Sequence, residues 1–238
     1  MTKEDQITIF TDGSSRGNPG PGGWAAVVVN GGKVTELGGR EEKTTNNIME
    51  MTAALEALKK TPKEAEITLY TDSSYLVNGI TKWVKGWKKN GWKTKTKGDV
   101  LNRDIWEKLH ELTETRQVKW KNVGGHVGVL GNERCDYIAT SFADNEPISL
   151  YKGALIDYDL PGIMDISHDE LKATAKKSDS SHSRAKAYSY VSMVGGVIET
   201  HHTWAECEKR VKGVAGAKYR KSISLEDELQ ITEEFGTF

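Results

Sequence analysis

The sequence predicts an α/β fold, in which helices flank a mixed β-sheet of five strands, followed by a flexible linker and a second, small α+β domain. Three strand patterns in a row, separated by Gly/Pro-rich and Asn-Gly-Gly turns, predict an antiparallel meander at the start of the chain. Helix and strand patterns then alternate, which favours parallel strands joined by helices. Residues 172–187 are small, polar and without periodicity, which predicts a flexible linker.

The elements of the first domain can be placed in order from their periodicity. Thr45-Asn46-Asn47 supplies N-cap chemistry for the first helix, which Pro62 ends. The apolar stripe of that helix contains Ile48, Met51, Leu55 and Leu58. The strands are predicted at residues 7–11, 24–29, 33–39, 66–71 and around 118–120, with a further helix around residues 105–112.

Composition bounds the class of protein. With 238 residues, 37% of them hydrophobic and 28% charged, the chain suits a soluble globular protein of one or two domains. No apolar run approaches the roughly 18 residues of a membrane span and no signal-peptide pattern opens the chain, so we expect a cytoplasmic protein with no membrane partner. Cys135 and Cys207 are too far apart for a disulfide framework, which fits a reducing compartment. No feature of the sequence requires an oligomer, so we expect a monomer.

Two aspartates end strands with the same local sequence. Asp12 ends the strand at 7–11 and Asp72 the strand at 66–71, and each follows a Thr and precedes a Gly or Ser. Asp12 alone is better explained as a turn former. Neighbouring parallel strands would place both carboxylates side by side, where they repel unless a cation lies between them. Glu50, expected in the first turn of a helix, has an ordinary explanation as a complement to the helix dipole.

Residues 82–97, here called the basic segment, contain seven lysines and no acid. Three tryptophans, Trp83, Trp87 and Trp92, are interleaved with them. A solvated helix face would mix Lys with Glu, and a core helix would not carry this charge. The pattern therefore favours binding to a nucleic-acid backbone, and we assign a nucleic-acid contact to Trp83 alone.

A glycine-rich loop at residues 124–131 carries one histidine, His126, and precedes a helix whose first turn is expected to contain Asp136. A lone loop histidine is most often a surface residue. This loop would overhang the strand edge that holds two carboxylates, which favours a functional role for His126.

Together these residues resemble those of type 1 ribonuclease H. The motifs are, in order, Thr11-Asp12-Gly13-Ser14, Thr45-Asn46-Asn47 with Glu50, Thr71-Asp72-Ser73, Gly125-His126 and Asn132-Glu133-Arg134-Cys135-Asp136. The resemblance covers about residues 5–145 and includes the basic segment. It implies three antiparallel strands followed by parallel ones, and hydrolysis of the RNA strand of an RNA–DNA hybrid.

The resemblance also implies roles for single residues. Four carboxylates match the metal-binding residues of the family: Asp12, Glu50, Asp72 and Asp136. Asp12 would bridge two ions roughly 4 Å apart, Mg²⁺ or possible Mn²⁺, with Glu50 and Asp72 on one side and Asp136 on the other. His126 matches the mobile catalytic histidine. Contacts with the hybrid are implied for Asn18, Thr45, Asn46, Asn47 and Trp83.

The part of the chain after residue 187 resembles the hybrid-binding domain, also called viroplasmin-like. A Gly195-Gly196 hairpin is followed by a Thr203-x-x-Glu206 capping box, a third strand and a last helix at 225–231. The resemblance implies that Trp204 and Tyr219 stack on DNA sugars, that Tyr190 lines the surface, and that Arg220 and Lys221 hold phosphates. A small module with core aromatics is the alternative. The predicted boundaries are 1–146 for the catalytic domain, 147–186 for an extension and linker, and 187–232 for the hybrid-binding domain.

Three functions compete at this point. The first is a metal-dependent endoribonuclease acting on RNA–DNA hybrids. The second is a protein that binds hybrids without cutting them, although such a binder gains nothing from four clustered acids that face phosphates. The third is a DNA nuclease of the transposase or resolvase type, which shares clustered acids but does not explain the basic segment or the second domain.

Overall fold

The structure is a computed structural model of the chain, and it describes residues 6–123, 129–166 and 187–236. The described residues form two compact units. The first contains residues up to 84 together with 102–123 and 129–166, and the second contains 85–101 together with 187–236. None of the helices within these ranges is long and apolar enough to cross a membrane.

The first unit is built on a mixed sheet of six strands. These are β1 (Ile7–Ser15), β2 (Gly20–Asn30), β3 (Lys33–Thr44), β4 (Glu66–Thr71), β5 (Gln117–Asn122) and β6 (Lys152–Ala154). Their order in the sheet is β5-β4-β1-β2-β3-β6. The strands β1, β2 and β3 pair antiparallel, whereas β4 lies parallel to β1 and β5 parallel to β4. The predicted fold class is confirmed, and β6 is a strand beyond the five expected.

Helices between residues 46 and 143 alternate with the later strands, and the one at 84–89 lies mainly in the second unit. They are α1 (Asn46–Lys59), α2 (Ser74–Asn78), a π-helix (Gly79–Trp83), α3 (Val84–Lys89), α4 (Arg103–Glu114) and α5 (Leu130–Ala143). A Cβ on Gly13 would lie 2.3 Å from the backbone nitrogen of Glu50, and one on Gly131 would lie 2.3 Å from the Phe10 ring. Because residues 10 and 13 point to opposite faces of β1, α1 and α5 lie on opposite sides of it.

The strand β1 does not end at Asp12, which corrects the prediction. Its pairing with β4 stops at Thr11 opposite Thr71, but its pairing with β2 continues to Ser15 opposite Gly22. The reason is that a strand has two edges, and the partner on one edge can stop while the partner on the other continues. Asp12 therefore lies beside the end of one neighbour while remaining paired to the other.

Residues 147–166 belong to the first unit and pack against its sheet. The strand β6 pairs antiparallel with the start of β3, and a 3-10 helix, Leu155–Asp157, follows it. Tyr158 and Ile163 are buried in the core cluster that contains Phe10. The sequence predicted only an extension here and no strand, because a strand of three residues has too little alternation to be recognised. The predicted boundary at residue 146 stays a prediction.

A buried carboxylate joins this extension to the sheet. The two oxygens of Glu36 accept hydrogen bonds from Nε and an NH2 nitrogen of Arg134 (2.7 and 3.0 Å), from the Tyr158 hydroxyl (2.6 Å) and from the Tyr151 amide (2.8 Å). Burial alone would raise the pKa of Glu36, but these hydrogen bonds outweigh it and hold that pKa below its ordinary value. One ion pair thus connects β3, α5 and the segment that follows α5.

The second unit contains a three-stranded antiparallel sheet in the order β8-β7-β9. Its elements are β7 (Ser189–Val194), β8 (Val197–His201), α6 (Trp204–Val211), β9 (Lys218–Ser222) and α7 (Leu225–Phe235). Gly195 and Gly196 form the predicted hairpin turn with φ of 57° and 80°. The capping box of Thr203 and Glu206 is confirmed, and the last helix continues four residues past its predicted end. The segment 85–101, which the resemblance places in the catalytic domain, groups with this unit.

Candidate active site

Asp12 is a buried carboxylate near the end of β1, with 2% of the residue exposed. Its Oδ1 accepts a hydrogen bond from the Gly13 amide at 2.7 Å. Thr11 and Thr71, which pair across β1 and β4, are fully buried beside it. The ladder to β2 runs through Asp12 and the ladder to β4 ends one residue before it, and together they fix the position of the Asp12 backbone.

Gly13 allows α1 to approach β1 closely. The space that its Cβ would occupy is taken by backbone atoms of Met49 and Glu50, at 2.6 and 2.3 Å. A side chain at position 13 would therefore push away the turn of α1 that carries Glu50. The glycine that looked like a turn former is instead a packing requirement of the site.

Glu50 is held through both of its oxygens. Oε1 accepts a hydrogen bond from Nδ2 of Asn46 at 2.7 Å, and Oε2 accepts one from the Ser73 hydroxyl. Thr45 is the N-cap of α1, accepting a hydrogen bond from the Ile48 amide at 3.3 Å. Glu50 is the fifth residue of the helix, so it lies just past the first turn in which it was expected. From that position its carboxylate reaches Asn46 at the helix start, Ser73 after β4 and the carboxylates of Asp12 and Asp72.

Asp72 follows β4 and completes a group of three. One ligand oxygen from each of Asp12, Glu50 and Asp72 lies within 4.8 Å of the others. The next residue, Ser73, is the N-cap of α2, and its hydroxyl accepts a hydrogen bond from the Leu76 amide at 3.2 Å while donating to Glu50. The prediction that the two strand-end aspartates converge agrees with this geometry.

The electrostatics of the group favour a bound cation. The pKa of Asp12 is raised well above its ordinary value, first by burial and then by the negative charges of Asp72 and Glu50. A cation among these carboxylates would offset that repulsion and favour the ionised form of Asp12. The oxygen donors are those that Mg²⁺ and Mn²⁺ prefer, so the residues present fit such an ion.

Asp136 lies on α5 and outside the group of three, but it is close enough for its charge to contribute to the raised pKa of Asp12. It is the seventh residue of α5, not a residue of the first turn as expected. His126, the remaining predicted catalytic residue, lies outside the described residues. Its role stays a prediction.

The predicted nucleic-acid contacts of the first unit divide into two sets. Asn18 lies beside the start of α1, where its Oδ1 accepts a hydrogen bond from the Asn46 amide at 3.0 Å. Asn46 and Asn47 are half-buried at the same helix start. Trp83, by contrast, is a core side chain with 3% exposed, packed edge-on against Tyr75. Its contact with DNA stays a prediction that this burial does not favour.

The predicted contacts of the second unit form one aromatic surface. Ring centroids of Tyr190 and Trp204 lie 5.6 Å apart, and those of Trp204 and Tyr219 lie 5.2 Å apart. Trp204 and Tyr219 are 39% and 55% exposed, so they are surface aromatics and not core residues. Arg220 is exposed and pairs with Glu234 at 2.5 Å, while Lys221 is half-buried on the same strand.

Sequence reasoning missed the residue that positions Glu50. Ser73 was part of a quoted motif but received no role, although it is 4% exposed and bonded to a carboxylate 23 residues earlier in the chain. The available signal was its place directly after Asp72 and before a helix, which is where an N-cap hydroxyl stands. Nothing in the local sequence indicated that the same hydroxyl also reaches Glu50.

Comparison with known proteins places these observations in a family. The RNase H family matches residues 4–144, and the family described as the ribonuclease H1 N-terminal domain matches residues 193–227. The second match lies in the C-terminal part of this chain and falls on the unit that carries the aromatic surface.

Individual relatives agree with the family match. The chain is 49% identical over 140 residues to a ribonuclease H of Pseudomonas savastanoi pv. phaseolicola, covering 59% of this chain and 94% of that protein. It is 51% identical over 146 residues to a ribonuclease H of Thermosynechococcus vestitus, covering 60% and 91%. The crystal structure of LC9-RNase H1, described as a type 1 RNase H with the type 2 active-site motif, superimposes with a TM-score of 0.56 and 26% identity, covering 69% of this chain and 86% of that one. On these grounds the chain belongs to the RNase H family.

Proposed function

We propose that the chain is an endonuclease that hydrolyses the RNA strand of RNA–DNA hybrids with the help of divalent cations. The observation that carries the proposal is the convergence of Asp12, Glu50 and Asp72, whose ligand oxygens lie within 4.8 Å of one another. Membership of the RNase H family supports it, as do relatives that bear the name ribonuclease H over most of their own length.

The donor set favours Mg²⁺, with Mn²⁺ as the alternative, because both ions prefer carboxylate oxygens. Two such ions, when bound, supply an activated water and stabilise the leaving 3′-oxygen of an in-line displacement. Asp12 is the candidate to hold both ions, because the charges of the other three carboxylates all act on it. Glu50 and Asp72 would complete one ion site, and Asp136 would belong to the other.

The remaining residues of the site have three proposed tasks: to orient the Glu50 carboxylate, to transfer a proton and to contact the hybrid. Ser73 and Asn46 donate to the two oxygens of Glu50, which fixes its carboxylate before a ligand arrives. His126 is proposed to assist protonation or release of the product. Asn18, Asn46 and Asn47 present short polar groups and backbone groups at the start of α1, where they are proposed to select the 2′-hydroxyl of RNA, with Thr45 contacting a phosphate of the DNA strand.

The second unit is proposed to bind the same kind of duplex. Tyr190, Trp204 and Tyr219 form a continuous set of rings on which sugars can stack. Arg220 and Lys221 follow Tyr219 on β9 and are proposed as phosphate contacts. Lys221 shares the strand face of Tyr219, whereas Arg220 lies on the opposite face and would exchange Glu234 for a phosphate on binding. A second binding surface on one chain raises the local concentration of substrate at the first.

The test is to offer labelled RNA–DNA, RNA–RNA and DNA–DNA duplexes with Mg²⁺ to the wild type and to Asp12→Asn. Cleavage of RNA within the hybrid, lost in the variant, is the expected result. Binding of hybrid without cleavage by the wild type would instead establish the pure binder, and a cut DNA strand would establish the DNA nuclease. A matched variant, Asp159→Asn, removes an exposed aspartate far along the chain and is expected to cut like the wild type.

We also propose that the protein acts as a monomer in the cytoplasm. Cys135 and Cys207 are both free and buried, which fits a reducing compartment. Sedimentation of the purified chain tests the oligomeric state, and a stable dimer would contradict it.

A further inference from the structure

The segment 85–101 groups with the C-terminal module, residues 187–236, in the second compact unit. This segment contains most of the basic segment, including Trp87 and Trp92. Both rings are buried, with 5% and 8% exposed. All seven lysines of the basic segment are exposed. The two tryptophan rings are therefore packed in the interior, whereas the lysine side chains face solvent.

The last helix supplies a specific partner for this segment. Nε1 of Trp87 donates a hydrogen bond to Oε1 of Glu233 on α7 at 3.3 Å, and Glu233 is itself 5% exposed. A buried carboxylate without donors would be costly, so the tryptophan N–H helps to make this burial acceptable. The contact joins two residues that are 146 positions apart.

The end of the same helix lies against a second residue of the segment. A Cβ on Gly236, the C-cap of α7, would lie 2.5 Å from Cδ and 2.6 Å from Nζ of Lys95. The lysine thus crosses the helix terminus where the absence of a side chain leaves room. An ammonium group at a helix C-terminus is favourable, because that end carries the negative part of the helix dipole.

The charges of the two elements are complementary. The helix α7 contains five acidic residues and no basic one, whereas the segment it touches contains six lysines and one aspartate. Attraction between them is screened by salt when exposed, but the Trp87–Glu233 contact is buried and is screened less. Docking of α7 therefore combines a buried polar contact with general charge attraction.

We propose that α7 docks the C-terminal module onto the segment 85–101, so that the lysines of the segment and the aromatic surface of the module act as one nucleic-acid-binding body. This inference deepens the proposed function and rests on it. A docked module keeps both surfaces together whatever the length of the chain between residues 167 and 186. A module that is only tethered loses local concentration as that chain lengthens, roughly as the −3/2 power of its length.

The first test lengthens residues 167–186 fourfold with Gly/Ser residues in the full chain and measures KM for a hybrid. Docking predicts an unchanged KM, whereas a tether predicts a rise of up to about eightfold. A rise of that size would overturn the proposal. In the same assay Trp204→Ala is expected to raise KM, and an unchanged KM for that variant would overturn the claim that the lysines and the aromatic surface bind the hybrid together.

The second test needs no substrate. Amide hydrogen exchange of residues 225–235 is compared in the wild type, Trp87→Ala and Lys97→Ala, where the last change removes an exposed side chain of the same segment. Docking predicts faster exchange in α7 for Trp87→Ala alone, even if that variant disorders its own segment. Unchanged exchange in α7 would overturn the docking. A wild type that fails to cut hybrids would overturn the proposed function, and the exchange result would still decide the docking.

Discussion

The carboxylate of Asp12 is buried beside those of Glu50 and Asp72, and its protonation in the absence of cations follows from that position. Burial and the charges of Asp72 and Glu50 raise its pKa, so its ionised form is disfavoured in the folded chain. The folded state then binds a proton at Asp12 more tightly than the unfolded state does. The contribution of Asp12 to the stability of the folded chain is therefore lost as the pH rises from its unfolded pKa near 4 through the raised folded value.

We therefore predict that Asp12→Asn raises the melting temperature in the presence of a chelator at pH 7 by roughly 2–4 °C, or about 1 kcal/mol. Asparagine keeps an oxygen for the Gly13 amide while removing the charge. Differential scanning calorimetry measures the change, and Asp159→Asn is the exposed control. A lower melting temperature for Asp12→Asn would show that the repulsion is not the controlling effect.

Ser73 positions Glu50, and a second prediction concerns this hydroxyl. Ser73→Ala removes the donor to Glu50, so we expect the apparent affinity for Mg²⁺ to fall about tenfold, as is typical when a ligand loses its supporting hydrogen bond. Titration of activity with Mg²⁺ measures it, and Ser73→Thr should restore most of the affinity. Ser74→Ala is the control, since Ser74 is exposed and bonds Asn122 instead. Equal Mg²⁺ dependence for Ser73→Ala and wild type would refute the role.

For single residues, the sequence predicted the positions that lie in a repeated local pattern and missed the contacts between residues far apart in the chain. Asp12 and Asp72 were found because the same local pattern ends two neighbouring strands. The link from Ser73 to Glu50 joins residues of two separate motifs, and no periodicity indicates it. Gly13 was assigned to a turn, because a close approach by α1 is visible only once the helix is placed.

Among the elements, β6 and the residues after it are joined to the sheet by the Glu36 ion pair. Because the pKa of Glu36 is lowered in the folded chain, its stabilising effect is present above its unfolded pKa near 4.3 and is lost as the pH falls through the lower folded value. We predict that Glu36→Gln costs about 3 kcal/mol at pH 7, because it leaves the half-buried Arg134 without its carboxylate.

Urea unfolding at several pH values measures this cost. The difference between wild type and Glu36→Gln should shrink as the pH falls below about 4, where the wild-type carboxyl is protonated as well. Glu42→Gln is the control, because Glu42 makes an exposed pair with Arg40. A difference that stays constant down to pH 2 would contradict the assignment of the pH dependence to Glu36.

A fourth prediction compares two truncated chains, which end the first unit at residue 146 or at residue 166. A chain that stops at residue 146 loses β6 and the donors Tyr151 and Tyr158, whereas one that stops at residue 166 keeps them. Each lost donor to a charged group is worth about 1.5–3 kcal/mol, so the shorter chain should melt several degrees lower. Thermal denaturation of both fragments decides it, and equal melting temperatures would mean that residues 147–166 contribute little.

The elements missed by sequence reasoning share a physical cause. The strand β6 has three residues, and its partner at the edge of the sheet is more than a hundred residues away. The extension of β1 past Asp12 depends on β2, whose glycines gave a turn signal and not a strand signal. The long strands, α1 and the capping box of α6 were predicted, because each carries its own local pattern.

For the whole molecule, the question is what the C-terminal module contributes to catalysis. We predict that deletion of residues 172–238 raises KM for a hybrid much more than it lowers kcat, because binding is lost while the carboxylates remain. Fewer phosphate contacts should also make log KM less steeply dependent on log salt. Steady-state kinetics at several salt concentrations measure both, and an unchanged KM at physiological salt would contradict the prediction.

The structure adds a reason to combine that deletion with point variants. Removing α7 takes away a partner of Trp87 as well as the aromatic surface, so the deletion changes the basic segment too. Trp204→Ala and Tyr219→Ala leave α7 in place and separate the two effects. The sequence could predict the module from its motifs, but the contact between positions 87 and 233 has no sequence signal.

The position of Asp12 within β1 has one more consequence. The ladder to β2 continues past it, so the strand cannot swing outward to separate the three carboxylates when no cation is present. Uptake of a proton by Asp12 relieves the repulsion, in keeping with its raised pKa. If cations bind here as proposed, cation binding and proton release are two sides of a single equilibrium, and cation binding weakens as the medium becomes more acidic.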